Sequence, residues 1–184
     1  CSPRKTDLGH LFRVDANAEG EMVVLGGWRP KLDSTTGRID KASSPWFAVQ
    51  LTRASAPWAY YRGLPYRAIS ALELSATAVG LHVLGLPAAL ETGHHGVGSV
   101  SMSTGTDSQV ASRVVDKGIA RTFPMCTVAM EVAAFQELHG VWLHSCWTPR
   151  ELNQEADALT NWDFRGFSHD KRIHVDLQKI PWLV

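Results

Sequence analysis

The chain reads as an α/β domain built on a five-stranded mixed sheet, three antiparallel strands followed by parallel additions, flanked by helices. Three observations predict this. Short β-branched and aromatic runs crowd the first third, apolar spacing turns helical at Ala68, and strand-like and helix-like segments alternate from there on. A length of 184 residues with 45 % apolar content fits one domain with a sizeable core.

The elements follow in order. "EMVVLGGWRP" (21 to 30) and "SPWFAVQLT" (44 to 52) have strand composition and are separated by the polar "KLDSTTGRIDKAS"; "APWAYYRG" (56 to 63) is a third strand completing a meander. Ile69, Leu72, Ala76, Val79 and Val83 follow helical spacing until glycines and Pro87 end the run. "GVGSVSMSTG" (96 to 105) alternates as a fourth strand. Val110, Val114 and Val115 mark a helix stopped at Gly118, and "TFPMCTVAMEVAAFQELHG" a further helix ending at Gly140. "VWLHSCW" (141 to 147) is the fifth strand. In "TPRELNQEADALTN", Thr148, Pro149 and Glu151 form a helix-start signal, with Leu152, Ala156 and Leu159 as the buried stripe.

Eighteen basic and eighteen acidic residues cancel, so any nucleic-acid binding must come from a local patch. Three cysteines (Cys1, Cys126, Cys146) lack zinc-ligand spacing and an even count, so neither a disulfide framework nor a structural zinc is expected, and an intracellular setting, nuclear or cytoplasmic, is. The apolar run 68 to 90 carries Glu73 and scattered Ser and Thr, and no membrane span or secretion signal is read from it or from the start. The opening "CSPRKTDLGH" lacks an initiating methionine, as in a piece of a longer chain.

Three acids are candidates for chemistry. Glu73 is the only formally charged residue between Arg67 and Glu91, and an unpaired carboxylate inside an apolar helix costs several kcal/mol. It requires a cation, a proton or a water-filled cleft, unless it sits on a narrow exposed edge. Asp107 lies between a strand and a helix, where ligands gather at the ends of parallel strands, although Asp is equally a favoured helix N-cap. Asp157 shares a flank of the last helix with Asn153; alone it reads as a solvated helix acid.

"LELSA", "STGTDSQV" and "NQEADALTN", in this order and with these elements between them, resemble the ribonuclease H fold, most closely the domain tethered to retroelement reverse transcriptases. The likeness spans roughly residues 22 to 160. It divides the chain into an N-terminal extension (1 to 20), a ribonuclease H-like domain (21 to 160) and a C-terminal extension (161 to 184) that packs on the domain or a partner. The resemblance implies that Glu73, Asp107 and Asp157 are catalytic metal ligands for Mg²⁺ or Mn²⁺ in a two-ion site, hard ions that prefer carboxylate oxygens. It implies hydrolysis of RNA in RNA/DNA hybrids, and Ser108 and Asn153 as groups supporting the ligands. A neighbouring polymerase domain is the implied partner.

The family also carries an aspartate in its first strand, and with that strand at "VVLGGWRP" the position falls on Gly26, with Gly27 as the alternative. A missing shared ligand would weaken metal binding. The competing expectation is therefore a degenerate module that binds nucleic acid or protein without cutting. The family's His-bearing loop before the last helix is also missing, and His144 falls on a strand. Arg53, Arg62 and Arg67, interleaved with Trp58, Tyr60, Tyr61 and Tyr66, are candidate nucleic-acid contacts, with an ordinary strand surface as the plainer reading. His94 and His95 lie in a glycine-rich loop and read as solvated rather than metal-binding.

Overall fold

A computed structural model describes residues 5 to 94 and 98 to 184. Five strands form one sheet in the order β3-β2-β1-β4-β5: β1 Lys5–Glu19, β2 Met22–Trp28, β3 Trp46–Leu51, β4 Ser99–Thr106 and β5 Val141–Trp147. The β1–β2 and β2–β3 pairs are antiparallel, and β4 is parallel to both β1 and β5. The mixed five-stranded architecture is as the sequence predicts, but one strand of the five is not where it was expected.

The centre of the sheet is β1, a segment expected to lie outside the domain. Phe12, Val14 and Ala16 alternate with Arg13, Asp15 and Asn17, which is the period of a strand with one apolar face. Gly20, at φ 58°, opens the two-residue turn that joins β1 to β2. The expected third strand, 56 to 63, is instead a 3₁₀ turn over Pro57–Tyr60. Pro57, lacking a donor and held at helical φ, favours the first turn of a helix over a strand interior.

Helices cover both faces. α1 (Ile69–Gly80), α3 (Gln109–Lys117) and α4 (Met125–His139) enclose the larger core with Phe12, Val14, Val23, Leu25, Met102 and Leu143. On the other face α5 (Gln154–Thr160) buries Ala156 and Leu159 against Val24, Trp28, Trp46 and Ala48. The successive residues Val23, Val24 and Leu25 thus point into alternate cores. The segment Pro65–Glu91 has the length and apolarity of a membrane-crossing helix, but 72 % of its apolar window is buried within the domain, as in a core helix.

The first long helix runs on past its expected stop. α1 passes through a π turn at Leu81–Gly85 into α2 (Leu86–Glu91), with Pro87 in the first turn of α2, where a missing N–H is tolerated. Its glycines serve close packing: a Cβ on Gly80 would stand 2.6 Å from the ring of buried Phe12. The last helix begins later than expected. A 3₁₀ turn occupies Arg150–Leu152, Asn153 is the N-cap, the Thr148–Glu151 start signal is unused, and Leu152 is exposed rather than part of the buried stripe.

The C-terminal segment packs on both cores. Phe167 meets Trp28 and Trp46 on the α5 face, Arg172 stacks on Trp46, and Ile173, Val175, Leu177 and Ile180 pack on the larger core. Gly80→Ala is expected to lower stability by about 1–3 kcal/mol through overpacking against Phe12, less up to about 1 kcal/mol of helix propensity. A lower urea midpoint at unchanged slope checks it.

Candidate metal centre

At the middle of the sheet β1 outruns β4. Their pairing ends at Arg13 and Gly105, so the β4-facing edge of β1 is free beyond that point. The chain leaves β1 toward β2 on one side and β4 toward β5 on the other, which is the kind of divergence where sheets open a crevice for ligands.

Three carboxylates converge there: Asp15 of β1, Glu73 of α1 and Asp107 just after β4, with one oxygen of each within 4.8 Å of the others. The free Ala16 N–H donates to Glu73 Oε1 at 3.2 Å, and the Thr106 hydroxyl lies 3.5 Å from Glu73 Oε2. The Thr160 hydroxyl of α5 donates to Asp15 Oδ2 at 2.8 Å. Asp15 and Glu73 are 2 % and 4 % exposed, so water reaches neither freely.

This placement corrects the expectation at Gly26. The first-strand acid is present, as Asp15, and Gly26 lies directly opposite it across the β1–β2 pair. A Cβ on Gly26 would stand 3.0 Å from Thr160 Cγ2 and 3.2 Å from Leu159 Cβ, so the glycine allows α5 to approach the sheet and bring Thr160 to Asp15. The alternation from Phe12 to Asn17 was the signal for this strand.

Of the three predicted ligands, the fold brings Glu73 and Asp107 together. Asp157, half-buried on α5, is outside the trio, yet near enough for its charge to raise the pKa of Asp15. Asp107 does not cap α3. That role belongs to Ser108, whose hydroxyl accepts from Ala111 N–H at 3.1 Å, so Ser108 is a helix cap and Asp107 is left free to face the cluster. Asn153, 1 % exposed, donates to the Val14 carbonyl at 3.0 Å, next to Asp15 in the chain, and its Oδ1 is buried without a partner.

Of the candidate nucleic-acid arginines, Arg62 and Arg67 lie together and Arg53 pairs elsewhere. Arg53 is paired with Glu21 at 2.7 Å, at the hairpin end of β2, five residues and about 16 Å along the strand from the level of Asp15. Arg62 and Arg67 are exposed ahead of α1, and an Arg67 guanidinium N–H donates to the Arg62 carbonyl. His144 is exposed on β5. His94 is not solvated; it is buried with Nε2 2.7 Å from the His139 carbonyl, and His95 lies outside the described residues.

Burial, followed by the charges of Asp107 and Asp157, pushes Asp15 up to about 6, against the hydrogen bond from Thr160, which lowers it. Burial and then the charges of Asp15 and Asp107 hold Glu73 well above the usual carboxylate range. Among the described residues no cation pairs with Asp15 or Glu73, and the all-oxygen donor set of the cluster is compatible with a hard divalent ion.

Among solved structures with this architecture, ribonuclease H1 of the halophilic archaeon Halobacterium salinarum superimposes with a TM-score of 0.50 at 15 % identity, over 87 % of this chain and 97 % of that one. The N-terminal ribonuclease H domain of a Mycobacterium tuberculosis protein, solved as a fusion with maltose-binding protein, gives 0.50 at 14 % identity, over 86 % and 93 %. No protein-family model and no curated protein matches the chain. The chain has the ribonuclease H fold.

An acid whose pKa is raised on folding holds its proton more tightly in the native state, so its contribution is fully present below about pH 3.8 and is lost as the pH rises through about 6. For Asp15 this is on the order of 3 kcal/mol. In EDTA, the stability of the parent is expected to fall between about pH 4 and 7, and Asp15→Asn to flatten that fall, measured by urea unfolding at stepped pH.

Proposed function

We propose that the protein is a metal-dependent endoribonuclease that cuts the RNA strand of RNA/DNA hybrids. The observation that carries this reading is the convergence of Asp15, Glu73 and Asp107 at the centre of a ribonuclease H fold. Asp15, Glu73 and Asp107 would hold Mg²⁺ or Mn²⁺, and Asp157, outside the trio, would add a fourth carboxylate from α5. Bound divalent ions would supply Lewis acidity and a water of lowered pKa for in-line attack at phosphorus.

The chain's own part is positional and electrostatic. Asp15 stands on the rigid central strand, oriented by the Thr160 hydroxyl, and Glu73 is oriented by the Ala16 N–H. The raised proton affinities of both acids would fall once a cation takes the place of their protons. Asn153 Oδ1, buried and unpartnered, is an acceptor available to an ion-bound water. The exposed Arg62 and Arg67 are offered as contacts to hybrid phosphates, and recognition of the RNA strand would use its 2′-hydroxyls. A retroelement setting with a neighbouring polymerase domain rests on the motif resemblance alone.

The test is incubation of the protein with a hybrid carrying a labelled RNA strand, over a titration of Mg²⁺ or Mn²⁺, with RNA and DNA duplexes as controls. Cleavage is expected only of the hybrid RNA and only with metal. Asp15→Asn and Asp107→Asn are each expected to lower the rate about a thousandfold, equivalent to about 4 kcal/mol of barrier. Absence of metal-dependent product, or equal product from the parent and Asp15→Asn, refutes the assignment.

A further inference from the structure

One cation already reaches the carboxylate cluster. Arg150 lies in the 3₁₀ turn between β5 and α5, and its Nε donates to Asp107 Oδ2 at 3.2 Å. The Arg150 side chain is 75 % exposed and the Asp107 side chain 14 %, so the arginine reaches in from solvent to an acid that faces the interior. It is the one side-chain ion pair, among the described residues, that any member of the cluster makes.

The backbone holds this turn in place. The Thr148 N–H donates to the Thr106 carbonyl at 2.8 Å, and the Trp147 indole N–H to the Asp107 carbonyl at 3.1 Å, tying the start of the turn to the end of β4. Arg13 donates to the Leu152 carbonyl at 3.0 Å, tying its end to β1. The base of the Arg150 side chain is thereby held beside Asp107, while the side chain itself lies largely in solvent. Asp157 and Asp15 both add to its attraction toward the cluster.

The strength of the pair matters to its use. An exposed ion pair is weak and is screened by salt, whereas a divalent ion bound by several carboxylates gains far more. Arg150 can therefore offset charge at the mouth of the cluster and yet be displaced. The geometry points to Arg150 as a tethered internal cation that competes with the divalent ion for Asp107, so that ion loading and release of the arginine are one exchange. This rests on the metal-binding reading proposed above and concerns the regulation of that same site.

The experiment uses the full chain and Mg²⁺ alone, with no nucleic acid. Mg²⁺ affinity is measured by calorimetry for the parent and for Arg150→Ala, and the Arg150 Nε–H resonance is followed by ¹⁵N NMR, assigned by its loss in Arg150→Lys. Arg150→Ala is expected to bind Mg²⁺ about two- to fivefold more tightly, the range open to an exposed pair. In the parent the Nε–H signal is expected to move to the position of a free arginine in step with ion binding. Equal affinities, or a resonance that stays fixed through saturation, would overturn this inference while leaving the nuclease assignment standing. If neither protein binds Mg²⁺ or, in a parallel titration, Mn²⁺, both are overturned together.

Discussion

Placing three carboxylates within 4.8 Å of one another, two of them almost without solvent, is the constraint around which this molecule is arranged. Like charges at that separation repel strongly wherever water is scarce. Each acid is consequently supported by something nearby. Thr160 donates to Asp15, the Ala16 backbone donates to Glu73, and Arg150 pairs with Asp107. The sheet supplies the first two opportunities: because β1 continues past β4, its edge offers an unpaired N–H where Glu73 arrives, and Gly26 clears the space through which α5 delivers Thr160.

The same requirement explains why the helices sit so close to the sheet. Glu73 can reach β1 only if α1 lies tightly on it, and the smallest residue at position 80 permits contact with Phe12 that a methyl group would prevent. Ser108 relieves Asp107 of the capping duty that its place in the chain would otherwise invite. Packing, capping and chemistry are therefore divided among neighbouring residues instead of falling on one.

Much of this was legible in the sequence. β5 was bounded to the residue, the stops at Gly118 and Gly140 are both left-handed C-caps, and Glu73 and Asp107 do meet. What escaped is instructive in physical terms. β1 carries Arg13, Asp15 and Asn17 on one face because that face builds the site, and Asp7, Gly9 and His10 fall where its pairing with β4 slips, so the strand lacks the apolar density that marks β2 and β3. The acid seemed missing because its strand was. At 56 to 63 the aromatic composition of a strand competes with a local signal against one, the missing donor and fixed φ of Pro57, and the proline prevails.

The C-terminal segment has a consequence for what counts as the folding unit. It crosses from the α5 face, past the edge of β3 where Ile173 N–H bonds to the Trp46 carbonyl, to the opposite face, where Leu183 and Val184 donate to buried Glu131. There Leu177 and Trp182 share a cavity wall with Leu25, Leu51 and Val79. A chain cut after α5 would keep every carboxylate of the site while baring apolar wall on both sides of the sheet, a surface prone to self-association. The belt of residues after 161 thus belongs to the domain's solubility as much as the strands belong to its chemistry.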